Sequence, residues 1–233
     1  MSPLHQSAVD ALVRRDFAAA EVLLLQVIAA SPSAEALNQL GAAQAAQRNY
    51  VAAEASFSQA VALAPQSAEA HYNLALVQRR HAKLDAAAAG LRQALRLRPD
   101  FLPARLDLAD VLCRQGNTAE AAATLEPLAL ARLAPTQRKK LARILRRIGD
   151  HRTRDARHAQ AEAVFRRAVE ADPASAETFA RLASSLAAQD RHDDAVPLFE
   201  KAGQARDRHL AWGGAPPSAF RKRSCHLPTN RLP

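Results

Sequence analysis

The stretch QRKKLARILRRIGD, residues 137–150, carries cations at helical spacing. At roughly 100° per residue, Lys139, Lys140, Arg143, Arg146 and Arg147 fall within about a third of a helical wheel. Leu141, Ile144, Leu145 and Ile148 fall on the opposite side. Such a helix packs its apolar side and offers a basic ridge to carboxylates or phosphates. The same pattern also describes a charged face that simply meets water. Bond-making chemistry has no comparable residue set. The 8 histidines are scattered, without an HExxH run or a Cys/His ligand spacing. His151 and His158, seven positions apart, are too few for a metal site, and Gly213-Gly214 is too little for a phosphate loop. Cys113 reads as a structural thiol, and Cys113 and Cys225 suggest neither a disulfide framework nor zinc. The chain therefore reads as non-enzymatic, with no cofactor.

Composition sets the surroundings of this ridge. The net charge of +9 is local: residues 132–171 carry 12 Lys/Arg against 4 Asp/Glu, whereas residues 1–131 carry 11 against 12. Nucleic acid is a poor fit, because no aromatics interleave the basic residues to stack bases. Hydrophobic residues make up 48% of the chain but aromatics only 4%, so alanine and leucine dominate and helix is favoured. The longest apolar run, VLLLQVIAA (22–30), falls short of the ~20 residues that span a bilayer. The start, MSPLHQSAVD, has no charged segment leading into an apolar core. A reducing cytoplasm without membrane attachment is the expectation.

The elements that must hold the ridge repeat along the chain. Pro32, Pro65 and Pro99, spaced 33 and 34 residues apart, each close a helical pattern, as does Pro173. Ala20, Ala53, Ala87, Ala121, Ala161 and Ala195 share one offset, and Leu24, Phe57, Leu91, Leu125, Phe165 and Phe199 another. Upstream, Leu40-Gly41, Leu74-Ala75, Leu108-Ala109, Leu141-Ala142 and Leu182-Ala183 form large-small pairs. Each unit reads as two helices. In NYVAAEASFSQAVALAP (49–65), Tyr50, Ala53, Phe57, Ala60 and Val61 lie on one face. The alanines allow close approach, and Phe57 fills the space between units.

This pattern resembles the tetratricopeptide repeat family, and HYNLALVQRRHAKLDAAAAGLRQALRLRP (71–99) and FARLASSLAAQDRHDDAVPLFEKA (179–202) match it well. The resemblance implies an all-α, right-handed superhelical solenoid of antiparallel helix pairs. Six units are expected: 1–33, 34–67, 68–101, 102–134, 135–175 and 176–207. Pro127 interrupts the fourth, and in the fifth the first helix is expected to end at Gly149, with HRTRDAR (151–157) as a long turn. The resemblance also implies an extended peptide bound on the concave side, by the first helix of each pair. Its offsets nominate Asn38, Gln39 and Ala42; Tyr72, Asn73, Leu76, Arg79 and Arg80; Leu106, Asp107, Asp110 and Cys113; Lys139, Lys140, Arg143, Arg146 and Arg147; and Ala180, Arg181 and Ser184. Gln39, Asn73 and Asp107 share an offset and resemble the amide ladder of O-GlcNAc transferase repeats, which Lys140 and Arg181 interrupt.

The expected function is a scaffold that grips an acidic protein segment. The alternative is the recognition arm of a longer or truncated modifying enzyme, of the sulfotransferase or glycosyltransferase type found after similar bacterial arrays. Residues 208–233, rich in Pro and Arg, read as a disordered tail. Without a polar closing helix, the last unit is expected to leave an apolar edge open to self-association.

Overall fold

The computed structural model describes residues 2–213, with side chains through Arg206. Among these residues there are twelve α-helices and no strand: α1 Pro3–Val13, α2 Phe17–Ala30, α3 Ala34–Ala46, α4 Tyr50–Leu63, α5 Ala68–Arg80, α6 Leu84–Leu97, α7 Leu102–Arg114, α8 Thr118–Leu125, α9 Pro135–Arg154, α10 His158–Ala171, α11 Ala176–Ala187 and α12 His192–Gly213. They pack as successive antiparallel pairs, each second helix leaning on the first helix of the next pair. First helices also touch one another, α3 on α5, α7 on α9 and α9 on α11. They therefore line the concave side, and the second helices form the convex side.

Local chemistry sets the boundaries. Ser33, Ser67 and Ser175 follow the closing prolines and cap α3, α5 and α11, each accepting from a backbone N–H in the first turn. Within each pair one residue takes the left-handed conformation: Arg15, Arg48, Ala82, Gly116, Ala156 and Asp190, with φ between 57° and 86°. The next residue's N–H then bonds a carbonyl five positions back, as in Asn49 to Gln44 and Arg157 to Arg152. Only Gly116 suits that conformation without steric cost.

These turn residues fix the true register. Counted back seven positions, they reach Ala8, Gly41, Ala75, Ala109, Gly149 and Ala183. The large-small pair of the fifth unit is therefore Ile148-Gly149, not Leu141-Ala142. A Cβ on Gly41 would come within 2.8 Å of the Phe57 ring, and one on Gly149 would collide with the Phe165 ring. The expected long turn at 151–157 is replaced by helix: α9 runs to Arg154, and the turn is three residues. The extra residues lie at the other end, where α9 gains about two N-terminal turns relative to α3, α5, α7 and α11. They compensate for a loss. Pro127 stops α8 at Leu125, and Leu128, Leu130 and Leu133 fold back onto the core that α7 and α9 share. Arg167 of α10 donates to the freed carbonyls of Leu125 and Leu128, at 2.7 and 3.2 Å.

The shared interior positions are filled as their spacing predicts. Ala20, Ala53, Ala87, Ala121 and Ala161 are fully buried, as are Leu24, Leu91 and Leu125. Phe199, at the same offset as Leu24 and Phe165, is 46% exposed. The helix α12 continues through the expected boundary at 208 as far as Gly213, and the rest of the expected tail lies outside the described residues.

Ala82→Gly and Ala156→Gly each relieve a left-handed alanine and should stabilise the fold by about 0.5–1 kcal/mol. Gly149→Ala, which overpacks against a buried ring, should cost about 1–3 kcal/mol. Urea midpoints at unchanged slope check both signs.

Candidate functional site

On the concave side, equivalent polar residues of neighbouring units bond to one another. His5 Nε2 lies 2.8 Å from Gln39 Oε1, Asn73 Nδ2 donates to Asn38 Oδ1 at 2.9 Å, and the Tyr72 hydroxyl donates to Asp107 Oδ2 at 3.0 Å. Each pair joins the residue ten before one left-handed turn to the residue nine before the next. The row of Gln39, Asn73 and Asp107 thus stitches units one to four together. Its amides retain only part of their capacity for a ligand. Tyr72 also packs against Phe101, with ring centroids 4.9 Å apart. Burial first, then the Asp107 carboxylate, push the Tyr72 hydroxyl well above its ordinary range.

The row leads into an ion cluster. Asp107 and Asp110 are one helical turn apart on α7, and their side chains are 2% and 3% exposed. Asp107 receives Arg79 Nη1 and, at 2.8 Å, Lys140 Nζ. Asp110 receives Arg147 Nη1 at 2.6 Å, with Arg79 and Arg114 each at 3.5 Å. The four cations come from α5, α7 and α9, so the cluster ties three first helices together. Lys140 reaches Asp107 only because of the two added turns of α9.

The ridge on α9 is therefore divided. Lys140 and Arg147 are bound to buried acids, and Arg146 pairs with Glu177 at 3.0 Å. Lys139 and Arg143 are exposed. Lys139 borders a cleft with Asp172, Ser175, Glu177 and Arg206. The exposed Arg80 guanidinium lies 5.3 Å from the centre of the Tyr50 ring, and Leu76 is half-buried on the same face of α5. Leu106 and Cys113, nominated as groove residues, are buried at 1% and 4%. Burial pushes the Cys113 thiol up to about 11, so it is a poor nucleophile.

The corrected register of α9 brings in residues that the sequence reading passed over. The positions matching Leu76, Arg79 and Arg80 are Asp150, Thr153 and Arg154. With Arg181, Ser184 and the Phe165 ring they line a pocket between the last two units. Burial raises the Asp150 carboxyl above its ordinary value, against the pull of Arg181 at 3.3 Å and of Arg146. Arg114, the fourth cation of the cluster, was passed over as well. The repeated pair Ile148-Gly149 was the signal for all of unit five.

Among the described residues, no three His, Cys, Asp or Glu side chains gather as metal ligands, and no helix is long and apolar enough to cross a membrane. Six stacked helix pairs with a polar concave lining define a helical-repeat protein of the kind that presents a groove to a polypeptide. Two tetratricopeptide repeat models match the chain, one over residues 6–68 and 140–209, the other over 78–144. The chain belongs to the tetratricopeptide repeat family. No curated protein matches it. Among solved structures, part of a repeat protein from Cytophaga hutchinsonii aligns with a TM-score of 0.70 at 14% identity, covering 88% of this chain and 80% of that one. YrrB, described as a TPR protein with an unusual peptide-binding site, aligns at 0.63 and 18%, covering 80% and 94%. MamA from Desulfovibrio magneticus RS-1 aligns at 0.61 and 17%, covering 75% and 96%. At these identities the likeness is one of fold: the right-handed superhelical stack.

The two kinds of concave carboxylate should respond in opposite ways. Asp107→Ala strands Arg79 and Lys140 against a half-buried wall and should cost about 3 kcal/mol. Asp150 binds its proton more tightly folded than unfolded, so its contribution to stability grows as pH falls and is unfavourable at neutral pH. Asp150→Asn should accordingly leave stability at pH 7 unchanged or raised. Urea titrations of both variants at pH 7 make the comparison.

Proposed function

We propose that the chain is a scaffold that binds an extended, acidic protein segment along its concave side. The carrying observation is the asymmetry of charge in the groove's central stretch. Its two acids are sunk beneath four cations, while Arg80 on α5 and Lys139 and Arg143 on α9 are exposed. The surface offered to a ligand is thus cationic, and the buried carboxylates hold the cations in place. An approaching carboxylate meets preorganised donors that need little reordering. The pocket around Asp150 adds contrast: its half-buried carboxyl suits a donor or a cation of the bound segment. The peptide-binding site in the name of YrrB belongs to the same fold and supports a groove of this use. A reducing cytoplasm suits the free, buried Cys113 thiol.

Lys139→Glu/Arg143→Glu removes the two ridge cations without touching the ion cluster. Fluorescence anisotropy with a labelled glutamate-rich peptide should show at least a tenfold loss of affinity in this variant. Binding by the parent should weaken steeply with added salt. Equal binding of glutamate-rich and lysine-rich peptides would rule the reading out.

A further inference from the structure

The convex side carries a difference between units that the groove does not use. The full-length second helices present an outward row at the third, seventh, tenth and fourteenth residues after the left-handed turn. In α6 this row is Asp85, Ala89, Arg92 and Arg96, and in α10 it is Ala159, Ala163, Arg166 and Glu170, all exposed. In α2 it is Ala18, Val22, Leu25 and Ala29, also exposed and without a charge. Val22 is 56% exposed and Leu25 50%. The fold does not need them there, because Ala20, Leu24 and Val27 already fill the interior side of α2. In α4 the row continues as Val51, Ala55, Ser58 and Ala62, again uncharged, with Val51 75% exposed. Further repeats would stack on the ends of the array and would leave this face open.

We infer that the outward face of α2 is a homodimer contact, in which two copies of the chain pair their α2 helices antiparallel about a two-fold axis. The row has the spacing of a helix–helix seam, four-three-four, and its order of sizes, small-large-large-small, reads alike in both directions. A two-fold therefore sets Val22 against Leu25 of the partner subunit and Ala18 against Ala29 of the partner subunit. Charge favours the same orientation. Arg14 and Arg15 precede α2 and outweigh Asp16, whose carboxylate caps the Ala19 N–H, and Glu35 opens α3 just beyond its end, so antiparallel alignment brings a net positive entry of one helix to a negative exit of the other. The helix dipoles align favourably as well. A 14-residue helix is about 21 Å long, and the seam with its continuation onto α4 buries on the order of 1,000 Å² in total. That area lies at the low end for specific contacts and suits a weak, reversible dimer.

Sedimentation velocity between 1 and 500 µM tests this. The parent should pass from monomer to dimer across that range. Val22→Glu/Leu25→Glu should remain monomeric at 500 µM, with unchanged circular dichroism. Val22→Ser/Leu25→Ser, a milder change at the same exposed positions, should weaken the dimer at least tenfold. A monomeric parent throughout would overturn the proposal. So would a dimer that survives Val22→Glu/Leu25→Glu but is lost in Phe199→Glu, since that places the contact at the C-terminal edge. Binding of the glutamate-rich peptide is expected to be the same in all these variants.

Discussion

Two carboxylates almost without access to water, Asp107 and Asp110, hold the middle of this molecule together. A buried charge is costly unless it is paired and hydrogen-bonded, and neither acid has a partner within its own helix turn that would suffice. Arg114 of the same helix stands 3.5 Å from Asp110, and the shorter contacts come from the helix before and the helix after. The cluster consequently sets the spacing and rotation of three first helices. It does so where the repeat is least regular. At this point α8 has lost its last turns to Pro127, and α9 has gained turns that neighbouring units lack. Apolar packing alone tolerates small slips between helices, whereas a bidentate or triply coordinated carboxylate does not.

The groove follows from that constraint. Towards the N-terminus, amide and histidine pairs continue the same row in neutral form. Towards the C-terminus, Arg146–Glu177 and Arg181–Asp150 continue it with more exposed charges. The concave lining thus passes from neutral, through a cationic centre over buried acids, to a mixed pocket. A partner that matches all three zones would be read along its length, and its orientation would be fixed by the order of zones.

Most of the architecture was legible in the sequence, because it rests on sterics. Proline ends helices, serine starts them, and alanine or glycine must stand wherever two helices touch. Those residues recur at fixed offsets. The fifth unit was misread because two candidates for its large-small pair, Leu141-Ala142 and Ile148-Gly149, lie seven residues apart. Seven residues return a helix to nearly the same face, so the pattern of burial could not separate them. What separates them is contact: Gly149 faces the Phe165 ring as Gly41 faces the Phe57 ring. The pairing of the basic ridge was hidden for another reason. Asp107 and Lys140 are 33 residues apart in sequence, and nothing in either neighbourhood announces the other. The row of Gln39, Asn73 and Asp107 was visible as a repeat of polarity. That its members serve the joints between units depends on residues one position earlier, His5, Asn38 and Tyr72, whose types differ from unit to unit.

The claim on which the rest depends is that the acid pair couples α7 to α9 energetically. A double-mutant cycle between Asp110→Asn and Arg147→Met, followed by urea unfolding, measures that coupling directly. A coupling energy of about 1.5 kcal/mol or more is predicted for a charge-assisted pair whose carboxylate is buried. Additive effects, with a coupling near zero, would show that α9 is held by its apolar face alone and that the ion cluster does not position the groove.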